Sequence, residues 1–216
     1  MKYQFPIYAL AGVQPFMANK DVRRYLNGVM IEPLEKGRGV RLVATCGHAL
    51  AVAYATEGAS ASEGAKRIIL PDYAVKSIVR QSKPEKPVTL TIRDGGDFVA
   101  EVEPRPGMSA AVYGAVIDGR YPDAEAVVPL EVVEPSAADC CFDPALLGKL
   151  EASTRALRRA GGCGRRAALH LEPNGDRAAP FRFLSLTSGF SLGGVLMPLR
   201  DPPARGSSLA NLWRPA

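Results

Sequence analysis

A chain of 216 residues, 47% of them hydrophobic, is long enough to bury a sizeable core as one large domain or two small ones. No apolar run approaches the roughly 20 residues that span a bilayer. The opening "MKYQFPIYAL" is too short and mixed for a secretory signal, so a cytoplasmic protein with no membrane partner is expected. The formal charge of +5 is uneven: residues 1–150 hold 17 basic and 18 acidic side chains, residues 151–216 hold 10 arginines against 4 acids. That asymmetry suits an acidic partner such as nucleic acid, although surfaces that bind nothing also carry it.

In chain order, three apolar runs each end in a proline that opens a helix-like stretch: "YQFP" at Pro6, "RIILP" at Pro71 and "CCFDP" at Pro144. Proline fits a first helical turn because its missing N–H would be unpaired there, and Asp143 is a natural N-cap for the third. After Pro6, "IYALAGVQPFMA" predicts a helix that Pro15 must end or kink. The segments "YLNGVMIEP", "GVRLVAT" and "HALAVAYAT" then read as strands. After Pro71, "DYAVKSIVRQ" places Ala74, Val75, Ile78 and Val79 on one helix face. "PVTLTIR", "FVAEV" and "SAAVYGAVI" follow as strands, with "RDGGD" a reversal that needs positive φ.

After Pro144, "ALLGKLEASTRALRRA" places Leu146, Leu147, Leu150, Thr154 and Leu157 on one stripe. "AALHLEP", "FRFLSL" and "SLGGVLMPL" are its strands, and "EPNGDR" is their turn signal. The inferred unit is strand–helix–three strands in three copies, an α+β fold. One unit cannot bury both its helix and its sheet, so neighbouring units must pack together.

Chemistry is sparse. Cys46 and His48 flank one glycine in "RLVATCGHALAV", a pattern open to a nucleophile pair, half a metal site or the tip of a turn between strands. A Cys/His enzyme would need an orienting acid and an oxyanion site, and neither is evident. Cys46, Cys140, Cys141 and Cys163 form no CxxC and no zinc spacing; free thiols, no metal, no cofactor and no catalytic residue are expected. Lys76, Arg80 and Lys83 avoid the apolar stripe of the second helix. Lys149, Arg155, Arg158 and Arg159 avoid that of the third. They are candidates to face phosphates on one surface, or simply solvated helix faces.

Three stretches together resemble the bacterial DNA polymerase III β subunit family, the sliding clamps. "DVRRYLNGVMIE" with "RLVATCGHALAV" is similar to the start of the clamp's middle domain, where RYYLNG and LVATDGHRLA are usual. "GAVIDGRYPDAEAVVP" resembles that domain's close, and "GVLMPLR" the C-terminal VMPMR signature. The resemblance implies the DNA-clamp fold, with residues 1–133 as a middle-domain pair of modules (about 1–62 and 63–133). Residues 134–200 would be half of a C-terminal domain and residues 201–216 a flexible tail. It also implies a non-enzymatic processivity factor that encircles or contacts duplex DNA without sequence preference and docks a DNA polymerase or other clamp-binding proteins. A twelve-module ring would need four such chains; a dimer, an open arc, or an interaction module that never closes on DNA are the alternatives.

Carried over residue by residue, the family's peptide groove would be Arg23, Leu26, Thr45, Gly47, His48, Leu50, Pro129, Val195, Met197, Pro198, Leu199 and Arg200. Leu26, Leu50, Val195, Met197 and Leu199 would form an adaptable apolar pocket for peptide side chains. Cys46 stands where the family has aspartate and Ala49 where it has arginine. A turn acceptor and a rim cation are thereby lost, and client choice is expected to differ. The tail carries "SLANLW", whose Leu209, Leu212 and Trp213 are similar to a clamp-binding peptide lacking its glutamine, and could fill a groove on this or a neighbouring chain.

Overall fold

The computed structural model describes residues 1–81, 83, 85–129, 142–159, 170–172, 180–187 and 190–199. Strand β1 (Lys2–Pro6) leads into helix α1 (Ile7–Val13), and Pro15 sits in the 3₁₀ turn Gln14–Phe16 that ends it. Then come β2 (Gly28–Pro33), β3 (Val40–Thr45), β4 (Ala49–Ala55), the two-residue β5 (Ser60–Ala61) and β6 (Ile68–Pro71). Helix α2 (Asp72–Gln81) is followed by β7 (Pro87–Ile92), β8 (Asp97–Arg105) and β9 (Met108–Ala115). Helix α3 (Pro144–Arg159) precedes β10 (His170–Glu172), β11 (Phe181–Thr187) and β12 (Phe190–Leu196). The expected α+β repeat of a helix and three strands is present, and β5 is an addition that the sequence reading lacked.

The repeats interlock instead of standing side by side. One antiparallel sheet runs β5-β1-β7-β8-β9 and the other β10-β11-β12-β4-β3-β2-β6. The strand that opens each of the first two repeats therefore belongs to the other repeat's sheet: β1 pairs with β7, and β6 with β2. The helix starts repeat this exchange. The first N–H of α1, on Ile7, donates to the Lys86 carbonyl at 2.9 Å, and that of α2, on Asp72, donates to the Asn27 carbonyl at 3.0 Å. Lys86 and Asn27 each immediately precede the first strand after the helix of the other repeat. An orphan donor at a helix start is thus met across the repeat boundary.

The prolines act differently from the expected first-turn role. Pro6 and Pro71 are the last residues of strands β1 and β6, and only Pro144 lies inside a helix. A strand end tolerates proline because it requires no further ladder donor. Asp143 does cap α3, accepting the Ala145 N–H at 2.8 Å.

Burial explains the odd composition of α1. Ile7, Ala9, Leu10, Ala11, Gly12 and Val13 are all buried, as befits a helix covered on all sides. One flank meets β4, whose Ala49, Ala51, Ala53 and Ala55 face the main core while Leu50 and Val52 face the opposite side of the sheet. The other flank meets α3, where Ser153 donates to the Gly12 carbonyl at 2.5 Å. The leucine stripe of α3 is narrower than expected: Leu146, Leu150 and Leu157 are buried, but Leu147 is 43% exposed. Ser153 and Thr154 complete the face toward α1, their hydroxyls bonded to backbone carbonyls.

Strand β12 joins β4 through seven residue pairs, from Phe190↔Ala55 to Leu196↔Ala49. Phe183 of the next strand stacks on Phe16 with ring centres 5.4 Å apart. Gly194 makes this fit possible: a Cβ there would lie 1.9 Å from the Leu50 carbonyl oxygen and 2.7 Å from the Phe183 ring. Gly194→Ala is expected to cost about 1–3 kcal/mol in urea unfolding through overpacking. Gly148→Ala on the open face of α3, where a Cβ meets nothing within 4 Å, should instead stabilise by about 0.5–1 kcal/mol.

Candidate functional site

The link between β3 and β4 is a tight turn organised by Thr45. Its hydroxyl accepts the Gly47 N–H at 3.1 Å and donates to the Ala49 carbonyl at 2.9 Å. The Cys46 N–H reaches the same carbonyl at 3.1 Å. Gly47 has φ +88°, a left-handed conformation that a side chain would strain. Cys46 is half-buried against the main core and His48 is exposed; the thiol lies 3.8 Å from the Ala49 carbonyl oxygen. This is turn geometry, with the threonine hydroxyl supplying an acceptor that the sequence reading assigned to the family's aspartate. Among the described residues, no three His, Cys, Asp or Glu side chains cluster as a metal site.

A second loop stands over this turn. Asp21 and Asn27 bond each other twice, from the Asp21 N–H to the Asn27 side chain at 2.9 Å and from the Asn27 amide to the Asp21 carbonyl at 2.7 Å. Asp21 also holds the Arg23 guanidinium at 3.0 and 2.8 Å. Those bonds, with the Arg23 backbone N–H, pull the Asp21 carboxyl down to about 2. The guanidinium lies 3.3 Å from where a Cβ on Gly47 would be, so Arg23 and Gly47 share one rim.

Beneath the rim is a small second core on the outer face of the seven-stranded sheet: Met30, Val43, Leu50, Val52, Ile69, Tyr121, Ala124 and Val195. Tyr121, which the sequence reading did not single out within "DGRYPD", pins it. Its hydroxyl accepts the Thr45 N–H at 3.1 Å and donates to the Gly28 carbonyl at 3.3 Å. Burial pushes the phenol's pKa up, partly offset by the Thr45 N–H. Arg41 clamps the same segment, bonding Glu125 at 2.5 Å and the largely buried Glu32; Arg67 binds the other Glu32 oxygen at 2.9 Å.

The structure brings most of the expected groove residues together. Leu50 lies opposite Thr45 on one side and Val195 on the other. The Met197 N–H donates to the His48 carbonyl at 2.9 Å. Val195 also lies opposite Arg182, whose guanidinium donates to the Pro129 carbonyl at 3.1 Å and to Glu172 at 2.8 Å. The expected pocket floor, however, is closed: Leu26, Leu50 and Val195 are at most 2% exposed, with Tyr121 and Ala124 packed into the same cluster as Leu50 and Val195. Thr45 and Pro198 are buried too, so the accessible rim is Arg23, Gly47, His48, Leu199 and, partly, Met197 and Pro129.

Open apolar space lies further along the same face, in a cavity of about 490 Å³ lined by Val52, Tyr54, Val128, Leu184, Gly193 and Gly194. The charged side chains of Arg41, Glu125, Glu172 and Arg182 also line it. Strand alternation could have found Val52 and Tyr54, which are two and four residues beyond Leu50. Arg200, Leu209, Leu212, Trp213, Cys140, Cys141, Cys163 and most of "AALHLEP" and "EPNGDR" lie outside the described residues, as does the side chain of Arg159.

The basic candidates divide. Lys149 turns inward, its ammonium donating to the Pro15 carbonyl at 2.7 Å. Lys76 pairs with Asp72 at 2.7 Å, Arg155 with Glu151 at 2.7 Å, and Arg158 stands 3.8 Å from Glu151. Arg80 and Lys83 are exposed. Helices α2 and α3 present one common side, because Lys76 and Val79 share a depression with Ala152 and Ala156 across α1.

Tyr121→Phe should leave the Thr45 N–H and Gly28 carbonyl without their side-chain partner at a cost of about 1–3 kcal/mol, read by denaturant unfolding. The Asp21 carboxyl should titrate near 2 by NMR. Its folded value is depressed, so its contribution to stability is complete above the ordinary 3.8 and is lost as pH falls through about 2. Arg23→Ala should return the midpoint toward the ordinary carboxylate range.

Residues 8–123 match the family model for the central domain of the DNA polymerase III beta subunit. The beta sliding clamp of Vibrio cholerae serotype O1 is 40% identical over 114 residues, which are 52% of this chain and 28% of that protein. That of Escherichia coli K12 is 37% identical over 121 residues, with the same shares. The alignment thus spans little more than a quarter of these relatives' length. Among solved structures, the DNA polymerase III subunit beta of Pseudomonas aeruginosa superposes with a TM-score of 0.66 at 16% identity, covering 93% of this chain and 67% of that one. The Helicobacter pylori beta clamp gives 0.67 at 15% identity, covering 92% and 66%. Such identities speak to fold alone, and the likeness of fold runs beyond the sequence match. Since the family model covers more than half its length, the chain belongs to the DNA polymerase III beta subunit family, with residues 8–123 as its central domain.

Proposed function

We propose that this chain is a non-enzymatic, sliding-clamp-like factor that contacts duplex DNA and docks replication or repair proteins through the rim around Arg23, Gly47, His48, Met197 and Leu199. The observation that carries this reading is the bond from the Met197 N–H to the His48 carbonyl. It joins two segments far apart in sequence at the place where the family's peptide groove would be. The closed floor means that a client peptide would enter over the rim and along the apolar cavity beside it, where Val52, Tyr54 and Leu184 offer contact. DNA would be held by phosphates, through Arg80 and Lys83 near α2 and Arg155 and Arg158 on α3, and hence in a salt-dependent, sequence-independent way. Four chains would complete twelve modules, and a dimer is the smaller alternative.

An interaction module that keeps the groove without closing on DNA is the second reading. It is favoured by the pairing of Lys76 and Arg155 with acids and by the inward Lys149, which leave a modest cationic surface among the described residues of α2 and α3. Retention on DNA separates the two. A closed ring should stay on nicked circular plasmid and be lost when the circle is linearised; equal loss from both, or no binding at low salt, would refute the first reading. Replacing Arg80 and Lys83 by alanine should reduce the slope of log affinity against log salt by about 1–2. For the groove, the pair His48→Ala and Met197→Ala should weaken binding of a leucine- and aromatic-bearing clamp peptide about 10-fold, or about 1.4 kcal/mol, by fluorescence anisotropy.

A further inference from the structure

The outer face of the seven-stranded sheet carries side chains in rows, because residues paired across strands share a face. In one row Thr45, Leu50, Val195 and Arg182 lie opposite one another, and Leu50 and Val195 belong to the sealed second core. The next row on that face is Val43, Val52, Gly193 and Leu184. Gly193 has no side chain to give it, so the row has a notch in its middle. Beyond it Tyr54 lies opposite Ser191.

The cavity of about 490 Å³ sits over this notch, within the size range of sites that take a ligand's side chains. Its walls Tyr54 and Leu184 are 39% and 40% exposed. Each end carries an ion pair, Arg41 with Glu125 and Arg182 with Glu172.

We propose that this cavity is the docking site of residues 209–214 of the same chain, with the Trp213 indole seated over Gly193. Reach favours this occupant. Leu199, the last described residue, is six positions beyond Gly193, or about 20 Å along an extended strand. Trp213 follows Leu199 by 14 residues, and a coil of that length has a root-mean-square span of about 20 Å. Such a match gives an effective concentration of about 1 mM, well above that of a second copy in dilute solution. Apolar matching agrees: Leu50 and Val195 are at most 2% exposed, so Leu209, Leu212 and Trp213 find open apolar space only past that floor, between Tyr54 and Leu184. Charge agrees as well. Arg214 follows the tryptophan, and the Glu125 side chain is 71% exposed in its pair with Arg41, open to a second guanidinium. A seated indole needs an acceptor for its N–H, and Ser191 and Glu172 line the cavity. The tail would then fill the path assigned above to a client peptide. That consequence rests on the client reading; the docking does not, and its test uses neither client nor DNA.

Trp213 is the only tryptophan, so its fluorescence reads the site in the full, unlabelled chain. At about 1 mM effective concentration, a contact with a dissociation constant of about 100 μM is about 90% formed. Acrylamide should therefore quench Trp213 at least about 3-fold less in the full chain than in a free peptide of residues 203–216. The protection should survive about 100-fold dilution, as an intramolecular contact does. Gly193→Val fills the notch and Leu184→Asp sets a carboxylate in its wall; each should bring quenching to the level of the peptide. Three results would each overturn the proposal. One is a parent chain quenched like the peptide. The second is protection lost on dilution, which places the tail on a second copy. The third is protection retained in either folded variant, which places the indole elsewhere. If Gly193→Val loses the far-ultraviolet circular dichroism of the parent, Leu184→Asp, at an exposed position, decides.

Discussion

The ladder between β4 and β12 is the constraint on which the molecule turns. Seven residue pairs tie a strand near the start of the chain to one near its end. This is possible because β4 is small on one face and large on the other. Its alanines leave room for α1 under the sheet, and its Leu50 and Val52 build the second core above it. Gly194 completes the arrangement at the point where any side chain would strike the Leu50 carbonyl. Shape complementarity at this density leaves little tolerance for added atoms.

From this ladder follows the character of the candidate site. Pairing in this register puts Val195 beside Leu50 and Met197 beside His48. The segment carrying Tyr121 and Ala124 then packs over the apolar floor and leaves the rim and a neighbouring cavity as the accessible parts. The hydroxyls of Thr45 and Tyr121 hold the turn from two sides, so the absence of the family's aspartate at Cys46 does not leave the turn unsupported. Ala49, where the family has arginine, is buried against the main core and takes no part in the rim.

Several ion pairs join separate segments. Glu32, Arg41, Arg67 and Glu125 bind the Tyr121 segment to the sheet, and Arg182 joins β11 to Pro129 and Glu172. Lys149 likewise satisfies a carbonyl at the end of α1. These cations look equivalent to Arg80 or Lys83 in sequence, yet each is engaged inside the protein or at a junction.

Much of the fold was legible in the residues themselves. Periodicity placed α2 and α3, the prolines bounded α1, β-like runs placed strands other than β5, and the glycines of "RDGGD" do take positive φ, at +95° and +91° for Gly95 and Gly96. These are local properties, fixed by backbone sterics and by which face of an element is apolar. Motif likeness also named a rim whose parts do meet. The sequence could not show that β1 and β6 exchange sheets, that Pro6 and Pro71 close strands, or that Leu147 and Lys149, neighbours on one helix, turn outward and inward. Nor could it show that Leu50 and Val195 are sealed. Sheet partnership, burial and the fate of a charge depend on contacts between residues distant in the chain, and only their packing in three dimensions decides them.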